Sequence, residues 1–217
     1  VSNDAAAGDN LDSSSVTIND LPTMSDNLVE RVGDDFVIKI TAIDANTAAG
    51  DSLTVNALVE YSSSPYEMSF EDPHYEVTIA EAAIINERGG LRAVTFQVSD
   101  SYSEIVDGSF GDQIDVTKTS NFDFTTTSSM NLAPGDNTIT FTIDNNGNFE
   151  DTFTVSASST NDWFTACSAV TVAYDSSSDC DVTVTVPKVA AGTKDSWTVG
   201  AVASNDAGVN SEETGIV

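Results

Sequence analysis

Apolar and polar residues alternate along most of the second half of the chain. The alternation runs through residues 137–143, 152–158, 182–187 and 196–204, with glycine, proline, asparagine and aspartate between the runs. A period of two places successive side chains on opposite faces of a strand. Short runs of this kind, separated by turn residues, are typical of antiparallel β-sandwiches. We therefore predict one sandwich over residues 120–217.

The first half of the chain carries the same pattern less regularly. The predicted strands cover residues 35–43, 52–61, 75–85, 91–99 and 113–119. The centre of the third run, IAEAAI, has few β-branched residues and is also compatible with a short helix. A second sandwich is therefore predicted over residues 21–119. Residues 117–121, TKTSN, are too few for a flexible linker, so we expect the two sandwiches to stand end to end with restricted motion.

Residues 1–20 form a polar extension with one short alternation near its end. The stretch SSVTINDL, residues 14–21, carries Val16 and Ile18 on one face and ends at Leu21. Two interpretations remain open. The stretch is either the first strand of the first sandwich or a donor strand that completes the sheet of a neighbouring subunit.

The turns of the second half resemble a known family in their order. The motifs are the PGD turn at 134–136, the NNGN turn at 145–148, DTF at 151–153, Trp163, VTVTVP at 182–187 and AAGT at 190–193. This series resembles the alpha-galactosidase-associated (CARDB-like) immunoglobulin-like modules of archaeal and bacterial surface proteins. The resemblance implies a non-catalytic extracellular module, and it transfers no active site.

The first half resembles immunoglobulin-, cadherin- or PKD-like surface repeats more loosely, through its VGD and GDSLTV steps. The predicted fold class is therefore all-β, with two tandem immunoglobulin-like antiparallel β-sandwiches.

The charge of the chain restricts its partners and its setting. Lys and Arg number 7 against 35 Asp and Glu, which gives a formal net charge of -28. Such a polyanion repels nucleic-acid phosphates and anionic headgroups, so binding to nucleic acid or to a membrane surface is disfavoured. No run approaches the roughly 20 apolar residues that span a bilayer, so membrane insertion is not expected either. Strong self-repulsion is tolerated when salt shortens the Debye length to about 3 Å at 1 M. The composition thus favours an extracellular or cell-surface location in a marine or saline setting.

Cys167 and Cys180 flank the polar tip YDSSSD between two strand-like segments. A hairpin or corner at this tip would bring the two thiols together, and we predict a disulfide bond between them. On the chain-entropy model, a bond that closes a loop of this length contributes about 3 kcal/mol. Two free thiols are the alternative.

Two acidic clusters are candidates for calcium, although no cofactor is required. Calcium prefers several carboxylate and carbonyl oxygens on loops. One candidate set is expected at one end of the first sandwich and the other near the junction, with solvated surface acids as the alternative for both. The first set is Asp34, Asp35, Asp44 and Asp51, and the second is Glu104, Asp107, Asp112 and Asp115. DNNGN, residues 144–148, imitates an EF-hand start but is better explained as a hairpin turn.

An aromatic segment, residues 62–76, is the other candidate surface. Tyr66, Met68, Phe70 and Tyr75 are concentrated there, beside His74 and two prolines. The segment is either a crossover connection whose aromatic side chains plug the sandwich or an exposed contact patch, because Tyr, Phe and Met are enriched in interface cores.

No nucleophile motif or phosphate-binding loop accompanies the single histidine, so we do not predict an enzyme. The expected function is that of an extracellular structural subunit, which forms a filament, fibre or surface layer from copies of itself. The alternative is an adhesin or an ancillary module that contacts glycans.

Overall fold

The structure, a computed structural model, describes residues 20–45, 52–85, 87–126 and 131–217 of the 217-residue chain. These residues are almost entirely β-structure. In the first half, the strands and one helical turn are β1 (Thr23–Val32), β2 (Asp35–Ile43), β3 (Thr54–Val59), β4 (Tyr66–Glu67), β5 (Ser69–Glu71), β6 (His74–Ala80), α1 (Glu81–Ile84), β7 (Gly90–Ser99) and β8 (Ile105–Val116). In the second half, the strands are β9 (Phe122–Thr126), β10 (Gly135–Asn145), β11 (Asp151–Ser159), β12 (Phe164–Thr165), β13 (Val170–Val172), β14 (Ser176–Val186), β15 (Ser196–Ala203) and β16 (Asn210–Ile216).

The N-terminal half, residues 20–116, contains two antiparallel four-stranded sheets. The strand order is β1-β2-β6-β5 in one sheet and β4-β3-β7-β8 in the other. Alternate residues of β2, β3 and β7, among them Ile38, Val55 and Phe96, are fully buried in one hydrophobic cluster. The apolar residues of the two-residue alternation therefore lie on the strand faces that pack against the opposite sheet.

The C-terminal half, residues 122–217, repeats this plan. Its sheets have the orders β12-β14-β10-β9 and β13-β11-β15-β16. A second cluster fills the space between them, where Trp197 stacks on Phe164 and contacts the edge of Phe141. On the edge strand, a Cβ at Gly215 would lie only 2.6 Å from the Trp197 ring, so a glycine is required there.

Both halves place their strands in the order of the immunoglobulin-type sandwich. Strands β1, β2 and β6 face β8, β7 and β3 in the first half, as β9, β10 and β14 face β16, β15 and β11 in the second. This is the A-B-E against G-F-C arrangement. The all-β sandwich class is thus confirmed. That each half folds as an independent domain stays a prediction.

One stretch in each half crosses between the sheets at their open side. Strand β4 pairs with β3 and β5 pairs with β6, so the chain changes sheet at Met68, whose N–H donates to Val55 O. In the second half the chain crosses in the opposite sense, from β12, which pairs with the following strand β14, to β13, which pairs with the preceding strand β11. The strands on these open sides are two or three residues long, which limits pairing with another chain.

One predicted hairpin turn has a different form in the structure. The NNGN turn joins β10 of one sheet to β11 of the other, so it is an inter-sheet connection and not a hairpin turn. Of the two forms predicted for the tip YDSSSD, the structure has the corner, because β14 already begins at Ser176 and pairs with β10.

No helix in the described ranges has the length and apolar character needed to cross a membrane.

Candidate functional site

The two halves meet at the link, residues 117–121, and the turn, residues 145–148, which together we call the joint. The link continues the β9–β10 ladder in unchanged register. Phe122 is paired with Asn145, Asn146 N donates to Asn121 O, and Asn148 N donates to Thr119 O. The link is therefore a hydrogen-bonded strand extension rather than a flexible tether.

Asn148 bonds to both sides of the joint. Its side chain is almost fully buried, at 4% exposure, and its Nδ2 donates to Ile85 O at 2.7 Å and to Thr117 O at 2.9 Å. Its Oδ1 accepts from Thr119 N at 2.8 Å, and its backbone O accepts from Gly89 N. All hydrogen-bonding groups of this amide are thus satisfied within the joint.

Two glycines allow this close approach. A Cβ at Gly89 would lie 2.5 Å from Asn148 Oδ1, and a Cβ at Gly147 would lie 2.6 Å from Thr119 O. Gly147 N also donates to Asn145 Oδ1 at 3.0 Å, which fixes the turn from within. The NNGN sequence is therefore a docking element, although the sequence pattern indicated only a turn.

On the N-terminal side of the joint, the nearly buried carboxylate of Glu81 forms an ion pair with the exposed guanidinium of Arg31. Glu81 is 7% exposed, it pairs with the Arg31 guanidinium, and its Oε1 accepts from Thr117 N at 2.6 Å. Burial by itself raises the pKa of Glu81. The hydrogen bonds from Thr117 and the charge of Arg31 outweigh burial, so the pKa lies below its ordinary value. The pair thus ties β1 and α1 to the first residue of the link.

On the C-terminal side, Asp151 holds the link to the second half. This residue is 1% exposed, and its Oδ2 accepts from Ser120 Oγ at 2.7 Å. Its Oδ1 accepts from Asn205 Nδ2 and from Thr152 N, both at 2.7 Å. The aspartate of the DTF motif therefore ties the link to β11 and to the loop after β15.

The first predicted calcium set is not brought together. Asp34 and Asp35 lie at the start of β2, whereas Asp44 follows its end, and nine residues of extended strand separate the two sites. At 3.3 Å per residue the two ends lie about 26 Å apart, so the expectation of one cluster is wrong. Asp51 lies outside the described residues.

The second predicted set is spread along β8. Glu104 and Asp107 lie at the beginning of the strand, and Asp115 lies at the joint end. Asp112 sits in a bulge, where its side chain accepts from Asn27 on β1. Among the described residues, no three His, Cys, Asp or Glu side chains are grouped so that they could hold a metal ion. The prediction that this set forms a cluster near the junction is therefore wrong.

The aromatic segment corresponds mainly to the crossover interpretation. Met68 is buried, and Tyr66 and Tyr75 pack against the first hydrophobic cluster. Burial raises the pKa of Tyr75. Phe70 alone of the four is mostly exposed, at 58%, and its ring contacts Tyr75 edge to face at 5.2 Å. The segment therefore closes the open side of the sandwich and leaves one aromatic ring at the surface.

Of the predicted donor strand, Val16 and Ile18 lie outside the described residues. Leu21 is described and is 58% exposed. Whether this stretch is donated to a neighbour stays a prediction.

The disulfide bond between Cys167 and Cys180 is confirmed. The two Cα atoms are 5.8 Å apart, and the bond links the crossing stretch between β12 and β13 to the buried face of β14. The bond therefore closes the open side of the second sandwich. In the first sandwich, the buried Met68 side chain occupies the corresponding side.

Comparisons with known proteins give no family for this chain. No protein-family model and no curated protein matches it. A protein of unknown function from Porphyromonas gingivalis W83 is similar in structure, with a TM-score of 0.36 and 12% identity, over 89% of this chain and 97% of that one. The alpha-2-macroglobulin of E. coli has a TM-score of 0.34 and 10% identity, over 88% of this chain.

Red sea bream transglutaminase has a TM-score of 0.27 and 10% identity, over 92% of this chain. This chain spans 16% of the macroglobulin and 31% of the transglutaminase. Similarities of this size say nothing about function, so the resemblance to alpha-galactosidase-associated modules stays a prediction.

Proposed function

We propose that the chain is an extracellular structural protein, a subunit that assembles with copies of itself into a filament, a fibre or a surface layer. The observation that carries the proposal is the joint. A subunit of an ordered assembly must present its two ends at a fixed distance and angle. Asn148, Asp151 and the Glu81–Arg31 pair provide bonds that hold the two halves in one arrangement.

Three further features support this role. The disulfide suits an oxidising exterior. The net charge of -28 suits a saline setting, such as that of archaeal or bacterial surfaces. The short strands on the open sides limit pairing with other chains at those edges.

An adhesin or a module that contacts glycans is the alternative. Phe70 favours it specifically, because its exposed ring is held against Tyr75 and sugars bind to such faces. If the chain is an adhesin, the Phe70→Ala variant should lose glycan binding. If the chain is an assembly subunit, the variant should still assemble.

Negative-stain microscopy of the purified full chain tests the proposal. We expect regular polymers at about 1 M sodium chloride and fewer at about 0.1 M, where repulsion acts over about 10 Å. Sedimentation of the same samples measures the polymerised fraction. A monomer at every salt and protein concentration would contradict the proposed function.

A further inference from the structure

A small depression with both apolar and polar lining, which we call the basin, lies at the end of the C-terminal half remote from the joint. Its volume is about 180 Å³. Its apolar lining comes from the ends of several strands and loops, namely Leu132, Pro134, Trp163, Val186, Val189 and Val217. Gly135 at the start of β10 is paired with Val186 at the end of β14, so the basin and the joint lie at opposite ends of these strands. Sites for small molecules usually measure about 300–1,000 Å³, so the basin suits a few aliphatic side chains better than an oligosaccharide.

Two lysines that make no described ion pair flank the basin. Five of the 7 Lys and Arg residues have a partner in the structure. Arg31, Lys39 and Arg92 pair with glutamates, Arg88 lies over the Tyr61 ring, and Lys118 lies over the Phe149 ring. The other two are Lys188 and Lys194, which are exposed and have no described carboxylate within ion-pair distance. They flank the loop, residues 189–193, that forms one wall of the basin.

The N-terminal extension has the complementary composition. Residues 1–20 contain Asp4, Asp9, Asp12 and Asp20 and no Lys or Arg. Val16 and Ile18 are spaced so that an extended chain presents both on one side. The extension enters β1 at Thr23, which is paired with Ile43 at the end of β2 remote from the joint. Ile18 is five residues from Thr23, so covalent geometry lets it reach at most about 18 Å from that point.

We propose that the N-terminal extension of one copy docks in the basin of a second copy. Val16 and Ile18 lie against Trp163 and Val189, and Asp12 and Asp20 lie beside Lys188 and Lys194. The inference rests on the proposed function, because it names the contact through which the subunits join. A contact between opposite ends of successive copies does not close on itself, so it propagates into a linear polymer.

Cross-linking between different copies tests this contact. One preparation of the full chain carries Ile18→Cys, and a second carries Val189→Cys at a position that is 43% exposed. Both native cysteines are already bonded to each other, so a short bismaleimide reports the new thiols alone. We expect cross-linked dimers in the mixture of the two preparations. The matched control replaces Val189→Cys by Thr138→Cys, which is exposed on the outer face of β10, and should give none.

Charge reversal supplies a second measurement. The K188E/K194E variant should dock roughly three- to tenfold more weakly, and combining it with a D12K/D20K partner should restore docking. Cross-linking no stronger than in the Thr138→Cys control would overturn the inference. A third preparation carries Ile18→Cys and Val189→Cys in the same chain. A cross-link that forms only within single chains of this preparation would also overturn the inference. If polymers form without the cross-link, this inference is wrong and the proposed function stands. If the cross-link forms without polymers, the contact exists and the proposed function is wrong.

Discussion

The position of Asn148 requires a side chain that can both donate and accept hydrogen bonds, and a carboxamide does so. The site presents two carbonyl oxygens, those of Ile85 and Thr117, and one amide N–H, that of Thr119. A carboxamide offers two donors and an acceptor in one plane, whereas a carboxylate offers acceptors alone. The residue type is therefore dictated by the backbone groups of both halves.

Replacing Asn148 by alanine should destabilise the protein by about 2–3 kcal/mol, because three backbone groups of the two halves lose their hydrogen-bond partner. Urea unfolding of the variant and the parent measures the difference. Asn146→Ala is the matched control, since that exposed side chain of the same turn makes one bond, to Asp123 Oδ2 at 3.0 Å. Equal effects of the two variants would contradict the role assigned to Asn148.

Glu81 should make the stability depend on pH. Its pKa is lower in the folded protein than in the unfolded chain, so its contribution is complete above the unfolded value, about 4.3, and disappears as the pH falls through the folded value. Glu81→Gln should therefore cost about 1–3 kcal/mol at pH 7 and progressively less below pH about 4.

Unfolding curves at several pH values measure this dependence. The control is Glu104→Gln at an exposed position. A difference between Glu81→Gln and the parent that persists unchanged at low pH would show that the carboxylate charge is not responsible.

At the level of the elements, the regular strands were predictable and the irregular ones were not. Strand β2 was predicted residue for residue, because every second side chain enters the core. Strand β1 was not predicted, because it contains a bulge between Ser25 and Leu28 that shifts the alternation of inward and outward side chains. Met24 and Val29, which pack against the core, therefore do not fit a single two-residue period. Strand β16 was missed because an edge strand with the sequence NSEETGI has almost no apolar side chains to alternate.

The candidate site was less predictable than the fold. The pairing of Cys167 with Cys180 followed from local sequence, since both cysteines flank one corner. The joint did not, because Asn148 bonds to Ile85, 63 positions away, and no periodicity encodes such a contact. The two predicted calcium clusters were wrong for a related reason. Residues that are near in sequence lie far apart in space when an extended strand separates them.

Removal of the disulfide should destabilise the protein by about 3 kcal/mol, because the bond closes a loop between residues 13 positions apart. The Cys167→Ala/Cys180→Ala variant and the reduced parent should show similar shifts in urea unfolding. Mass spectrometry of the native protein should find no thiol that can be alkylated. Unfolding midpoints that coincide with and without the bond would contradict a stabilising role.

The whole molecule carries far more anions than its few cations can pair. Three ion pairs are formed within the described residues, against 35 Asp and Glu in the chain. Cross-strand pairs such as Thr140–Asp181 and Thr142–Asp179 place further carboxylates on the outer face of β10 and β14, where hydroxyl groups bond to them but do not neutralise them. Salt lowers this repulsion by screening the exposed charges.

The melting temperature should therefore rise steadily with sodium chloride between about 0.1 M and 1 M, as the Debye length falls from about 10 Å to about 3 Å. Calcium chloride at equal ionic strength should have a similar effect. Differential scanning calorimetry of the full chain measures both. A distinctly larger rise with millimolar calcium would instead reveal a specific calcium site.

The bond from Gly147 N to Asn145 Oδ1 has a consequence for the chemical lifetime of the chain. Asparagine is a heat-labile residue, and deamidation begins when the next backbone nitrogen attacks its side chain. Glycine hinders that attack least, because it has no Cβ. In the joint, Gly147 N is held by Asn145 at 3.0 Å, and the Asn146 amide is held by Asp123 at 3.0 Å. Folding should therefore keep the two reacting groups of this Asn-Gly pair apart, so we expect deamidation to be faster in unfolded chains than in the folded protein.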